Sequence, residues 1–318
     1  MQDERKAYFI APAWRRSPVL WLFLLSLLLW PNPLFAKDSS SPVPQRIISL
    51  SPSVTEILYA LGAGNKLVGV TDYCKYPKAA TLLPSVGGFM NPSYERMISL
   101  RPDLIIHQED NPAIVKFARQ IRVQSFAVSM LTLAEIFATI RSVGEIAHRP
   151  QAAEDLILEI QNKIDTYRKK LQPLQRKSVF LLLGVGNDPA QTLYGVGRNT
   201  FLGELLELAG GDNILPDSLS PYPKVSKEFV IRQSPEVVIE IGPVANQDRE
   251  AMNNKKRVWE MFPTIQAVRS NSIYYFSGNY LLIPGPRLTQ IIDHFAHALH
   301  PKIFPGDGKN LKVQEVTP

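Results

Sequence analysis

The chain has 318 residues, 45% of them apolar, and a formal net charge of +6 at pH 7, so it can bury two cores of ordinary size. The basic residues form no Lys/Arg-rich block interleaved with aromatics, which argues against nucleic-acid binding. The single cysteine, Cys74, excludes an internal disulfide.

The first 36 residues differ from the rest. Arg15 and Arg16 precede an apolar run from Val19 to Trp30, which Pro31 and Pro33 break before Leu34-Phe35-Ala36. A basic flank, a short apolar core and a small exit residue predict a cleaved secretory signal over residues 1–36, with an uncleaved anchor as the alternative. The run is shorter than the roughly 20 apolar residues of a comfortable membrane span. No cysteine follows the apolar core, so a lipid anchor is not expected. Cleavage would remove Arg5, Lys6, Arg15 and Arg16 together with Asp3 and Glu4, leaving a mildly basic chain of about +4. Export to the periplasm as a soluble protein is the expectation.

Residues 37–45 are a polar, proline-broken leader, and an N-terminal lobe is expected over residues 46–149. Arg46-Ile-Ile-Ser-Leu50 reads as a buried strand, followed by a helix start. Either Ser53 and Glu56 form a capping box, or Ser51 caps with Pro52 at the first helical position. Gly62 and Gly64 end that helix. Leu67–Val70, Leu104–Ile106 and Gln124–Val128 read as further strands, and their alternation with helical stretches predicts a mostly parallel sheet covered by helices. Residues 151–172 contain neither glycine nor proline. Their apolar positions Ala153, Leu156, Ile157, Ile160, Ile164, Tyr167 and Leu171 follow helical spacing, so a long connecting helix is expected over residues 150–173. A C-terminal lobe over 174–300 starts at Ser178-Val-Phe-Leu-Leu-Leu183, and residues 301–318 read as a disordered tail. The fold class is therefore α/β: two Rossmann-like lobes with mostly parallel sheets, joined by a single long α-helix, with a ligand cleft between the lobes.

The chain also repeats itself. Ser93-Tyr-Glu95 opens a helical stretch followed by Pro102 and the apolar Leu104-Ile-Ile106, and Ser226-Lys-Glu228 opens one followed by Pro235 and Val237-Val-Ile239. Glu56-Ile-Leu-Tyr-Ala-Leu-Gly62 resembles Glu204-Leu-Leu-Glu-Leu-Ala-Gly210 in the same order. Two similar lobes imply a cleft, and loops beyond strand ends are where open α/β sheets hold ligands. The loop residues that suit a large, flat, partly apolar ligand are Tyr73, Phe89, Met90 and Asn91 in the first lobe and Asn187, Tyr194, Arg198, Tyr222 and Tyr280 in the second. Gly184-x-Gly186 and Gly195-x-Gly197 lack the third glycine of a dinucleotide fingerprint and read as loop glycines. His294, His297 and His300 lie three apart on one helical stretch, a spacing zinc accepts, but one element beside a tail makes a poor metal cage; no metal site is expected. Cys74 reads as a packed loop residue. No Gly-x-Ser-x-Gly or His-Glu-x-x-His motif marks an exported enzyme.

Glu95 and Glu228 sit in the first helical turn after a serine, where an acidic side chain favours the helix dipole by about 0.3–1 kcal/mol and needs no further purpose. Capping alone does not explain why each half carries one.

Arg46-Ile-Ile-Ser-Leu-Ser-Pro-Ser-Val-Thr-Glu56, Gly69-Val-Thr-Asp-Tyr-Cys-Lys-Tyr-Pro77, Gly87-Gly-Phe-Met-Asn91 and Leu100-Arg-Pro-Asp-Leu-Ile-Ile106 resemble the helical-backbone substrate-binding proteins of ABC importers. That group takes up cobalamin, heme and ferric siderophores, and the wording is most similar to its periplasmic cobalamin-binding branch over about residues 46–299. The resemblance implies a monomer without catalysis or covalent cofactor. It captures a corrinoid and delivers it to a membrane permease powered by separate ATPase subunits. It also implies that Glu95 and Glu228 are the exposed glutamates, one per lobe, that meet arginines of the permease. The chain departs from that branch where Phe89 and Tyr222 stand at positions often held by tryptophan. Within the same group, a ferric siderophore or heme remains the alternative ligand. Catecholate siderophores are strongly anionic and call for convergent basic groups, for which the cleft loops offer chiefly Arg198, with Arg287 as a second.

Overall fold

The computed structural model describes residues 43–109, 111–184, 192–217, 220–242 and 257–304. The expected signal, most of the leader, Asn187 and residues 305–318 of the expected tail lie outside them.

The first sheet is four-stranded and fully parallel, in the order β2-β1-β3-β4, with β1 Ile47–Ser49, β2 Leu67–Val70, β3 Leu104–Gln108 and β4 Gln124–Val128. Helices α1 (Pro52–Ala60), α2 (Tyr94–Ser99), α3 (Pro112–Gln120) and α4 (Leu133–Ile146) link or follow these strands. Every residue of β1 is buried, because a parallel sheet carries helices on both faces; this is why Ile47-Ile48 reads as a continuous apolar run and not as an alternation. Ser51 is the N-cap residue of α1 with Pro52 in the first turn, but its hydroxyl makes no capping bond. Glu56 does not close a capping box either; its carboxylate is committed elsewhere.

Helix α5 (Pro150–Leu171) runs from the first lobe into the second, as its spacing predicts. Ala153, Ile157, Ile160, Ile164 and Leu171 are its buried stripe. Each large aliphatic side chain there contributes roughly 1.5–3 kcal/mol of burial. The stripe packs into a core shared by both lobes, and polar contacts flank it: Arg141 of α4 bonds Glu154 at 2.7 Å, while Tyr167 donates to Asp293 and Lys163 lies 3.3 Å from the same carboxylate.

The second sheet is mixed. Its parallel part, β7-β5-β9-β10, comprises β5 Lys177–Leu183, β7 Gly211–Asn213, β9 Val237–Gly242 and β10 Ile273–Ser277. This order reproduces β2-β1-β3-β4 of the first lobe. Two short strands, β6 (Leu193–Gly195) and β8 (Lys224–Val225), add an antiparallel extension along the end of β5. Tyr194 and Gly195, expected on a loop, therefore lie in a strand; a three-residue strand is too short to leave a periodic signal. Helices α6 (Phe201–Leu208), α7 (Lys227–Gln233), α8 (Gln266–Arg269) and α9 (Leu288–Leu299) complete the lobe. Beyond α9, residues 301–304 form a turn, and Phe304 stacks on Tyr167 with ring centroids 5.3 Å apart, so the expected tail begins as packed structure.

One apolar core includes Ile57, Ile140, Ile160, Leu205, Ile239 and Phe295, so it runs through both lobes and the connecting helix. Each lobe has a smaller core on its other sheet face, around Ile48, Met97 and Ile105 in the first and Phe180, Val238 and Trp259 in the second.

The candidate ligand cleft and its floor

Strand β2 runs into Thr71-Asp72-Tyr73-Cys74. Cys74 is buried, with the Thr55 hydroxyl donating to its sulfur at 3.2 Å and Thr71 Oγ1 3.3 Å away, so it pins the loop from beneath. Asp72 ties this loop to the next: its amide donates to the Gly87 carbonyl at 3.0 Å and its carboxylate accepts from Ser85 at 2.5 Å. The result is a joined pair of loops that present Tyr73 (59% exposed) and Phe89 (43% exposed) edge to face, with centroids 6.4 Å apart. Met90 and Asn91 are exposed on the same turn. These four residues of the first lobe are brought together.

The second lobe's residues are not all equivalent. Tyr280 follows β10 in a short helical turn, half-buried, and its hydroxyl is paired with Nε2 of His294, which itself stacks on Phe276. Burial holds the Tyr280 phenol above its usual range and His294 below its own. Tyr222 packs partly buried against the central core, and Tyr194 is partly buried in β6. Arg198 is committed within its lobe: it donates to Glu207 at 3.2 Å, to Asp212 at 2.8 Å and to the Leu215 and Asn213 carbonyls. It ties the last turn of α6 to β7. His297 is partly buried on the last helix and His300 is buried at its C-cap.

The floor between the lobes is built by residues that the sequence did not single out as a set. Glu56, whose side chain is 2% exposed, accepts two bonds from Arg287, from Nε at 2.9 Å and from Nη2 at 2.5 Å. Burial pushes the Glu56 carboxyl up, while the hydrogen bonds and charge of Arg287 pull it back. The guanidinium carbon of Arg287 lies 4.3 Å from the ring centre of Tyr76 and 5.4 Å from that of Tyr280, so an aromatic from each lobe flanks it. At a second contact between the lobes, Glu204 of α6 accepts from the amide of Leu133, the first residue of α4, at 2.6 Å, and the Phe201 amide donates to the Leu131 carbonyl. The matched glutamates of the repeat thus each reach across to the start of the last helix of the opposite lobe. Their identical place in the two motifs was the available signal; Tyr76 had none beyond its place before Pro77.

Glu95 and Glu228 are exposed in the first turns of α2 and α7, after serines whose hydroxyls accept from Arg96 and Phe229 amides at 3.3 and 3.2 Å. Just beyond each helix the chain turns at a residue with positive φ, Arg101 (46°) or Ser234 (42°), followed by proline. The next residue is acidic and bonds the amides that start the lobe's first strand: Asp103 those of Gln45 and Arg46, Glu236 that of Ser178.

Comparison with known proteins then adds what geometry alone does not carry. A family model described as periplasmic binding protein matches residues 47–280. The vitamin B12-binding protein of Vibrio campbellii is 29% identical over 280 residues, 86% of this chain and 98% of that one. Among solved structures, the periplasmic vitamin B12 binding protein of Vibrio cholerae is similar with a TM-score of 0.67 at 28% identity, covering 82% of this chain and 98% of that one. A periplasmic heme binding protein of Pseudomonas aeruginosa is similar with a TM-score of 0.70 at 25% identity, covering 81% and 93%.

Proposed function

The chain belongs to the periplasmic binding protein family, and from that membership we propose that it captures a corrinoid between its lobes and delivers it to the permease of an ABC importer. The observation that carries the ligand class is the state of the arginines. Arg198 and Arg287, the two cations that the sequence singles out for an anionic ligand, are both engaged by carboxylates, while Tyr73, Phe89, Tyr76 and Tyr280 supply aromatic surface from both lobes. A ferric catecholate would need free convergent cations to replace its hydration. A corrinoid is large, has a flat face and is rimmed by neutral amides, which suits aromatic contact with few fixed charges. Heme is the second reading, favoured by the exposed phenol of Tyr73, since tyrosinate is an established axial ligand of heme iron.

On this proposal residues 1–36 direct export and the mature protein works in the periplasm as a monomer. It contains no catalytic step, and separate ATPase subunits power the transport. Glu95 and Glu228, one per lobe, meet basic residues of the permease. Calorimetric titration of the mature protein with cyanocobalamin, heme and a ferric catecholate tests the reading. Saturable one-to-one binding of cyanocobalamin, tighter than that of the other two, is the expected result, and preference for the ferric catecholate overturns it.

A further inference from the structure

Resting on that reading, we propose that Glu56 sets the charge selectivity of the site by neutralising Arg287, so that the cleft floor offers a stacked, charge-balanced surface instead of a free cation. Four observations support this. The Glu56–Arg287 contact is bidentate, the geometry in which a carboxylate holds a guanidinium in one orientation. Glu56 is almost wholly buried, whereas Arg287 keeps 15% of its side chain exposed, so the pair's accessible side is the arginine's. Tyr76, 44% exposed, and the half-buried Tyr280 flank the guanidinium and set aromatic surface from both lobes beside it. Finally, Glu56 lies in the helix that follows β1 and Arg287 immediately precedes α9, so the pair joins the two lobes, and Tyr76 beside it lies three residues after Tyr73 in the segment that follows β2.

A guanidinium whose charge is matched from behind attracts an anionic ligand weakly, while the tyrosines that flank it still offer aromatic surface to a planar or amide-rich one. Removing the matching charge should therefore turn the floor toward anions. Glu56 does this through Arg287, which makes it a positioning residue.

The test measures affinities for two probes: cyanocobalamin, which is neutral, and heme, which carries two propionates. In Glu56→Gln the ratio of heme affinity to cyanocobalamin affinity should rise about tenfold. In Glu56→Gln/Arg287→Met, which leaves no charge on the floor, it should return to the wild-type value. A folded Glu56→Gln protein with an unchanged ratio overturns the proposal, as does a double variant that keeps the altered ratio. Tyr76→Ala covers the case in which Glu56→Gln does not fold, because Tyr76 is largely exposed: cyanocobalamin affinity should fall about tenfold, and unchanged affinity for both probes means that the floor does not meet the ligand. Failure of the functional reading is seen separately, in a wild-type protein that takes neither probe, and the proposal falls with it.

Discussion

The two lobes share one plan and close it with different chemistry. In each, four parallel strands follow the same order, a serine-capped helix carries an exposed glutamate, and an acidic residue after proline ties down the first strand. Each also sends a glutamate from its first helix to the start of the other lobe's last helix. From the first lobe, Glu56 meets a guanidinium; from the second, Glu204 meets a backbone amide. An amide at a helix start is always available and commits no side chain. An arginine is an added device that also brings a guanidinium against aromatic residues, and on the proposal above this makes the two junctions unequal for a ligand.

The largest expected effect breaks the first junction. Arg287→Ala leaves the Glu56 carboxylate buried without its partner, and loss of one member of a buried pair costs about 3–5 kcal/mol. Urea unfolding should register a destabilisation of that order; a change below about 1 kcal/mol would mean that water reaches Glu56 and the junction is not sealed.

The second junction should be weaker. Glu204→Ala removes one charged acceptor from the Leu133 amide, a loss of about 1–3 kcal/mol. Glu204→Gln, which keeps an acceptor oxygen, should recover most of it. Equal costs for Arg287→Ala and Glu204→Ala in the same denaturation series would erase the proposed asymmetry.

Acid should act through groups other than the junction carboxylates. Burial lowers the folded-state pKa of His294 and His300, so their contribution is fully present above about 6.5 and is lost as pH falls toward the lowered folded values. Glu135 also has a lowered folded pKa: burial opposes the shift, but bonds from Ser129 and the Leu131 and Thr132 amides outweigh it. Its contribution is present above the ordinary carboxylate range and lost below it. Burial raises Glu56 and Glu204 instead, so their titration contributes with the opposite sign and does not weaken the fold in mild acid. Melting temperature should therefore drop by a few degrees between pH 7 and 5.5, about 2–4 °C for each 1 kcal/mol, and His294→Phe should flatten part of that slope. An equal slope in the variant would remove His294 from the account.

The smallest effect on stability is expected at the two exposed glutamates. Glu95→Ala and Glu228→Ala should each cost at most about 1 kcal/mol, the size of a helix-dipole contact, and leave ligand affinity unchanged. Together they should sharply reduce uptake into vesicles that carry the cognate permease, with a smaller loss relative to wild type at high salt, where rim charges are already screened. Loss of ligand affinity in the double variant would instead place these residues in the cleft.

The fold was legible because its signals are local. Buried parallel strands write themselves as apolar runs, Ser93 and Ser226 mark helix starts, and the stripe from Ala153 to Leu171 announces a rod that packs on both sides. Strands β6 and β8 were not legible, since two or three residues in a mixed extension leave no period to detect. The site was legible only in part. Tyr73, Phe89, Met90 and Asn91 are near one another in sequence and stay together in space. Arg198 looked like a ligand cation because its partners, Glu207, Asp212 and two carbonyls, arrive from α6 and the strands beyond it.

The sequence by itself determined that this is a two-lobed α/β chain with an internal repeat, because helix periodicity, capping and strand burial are properties of neighbouring residues. Only the tertiary structure decided which charges are free and which are matched. Glu56 and Arg287 are separated by 231 positions, and no local pattern records that a carboxylate and a guanidinium so far apart along the chain will share one buried contact between two tyrosines.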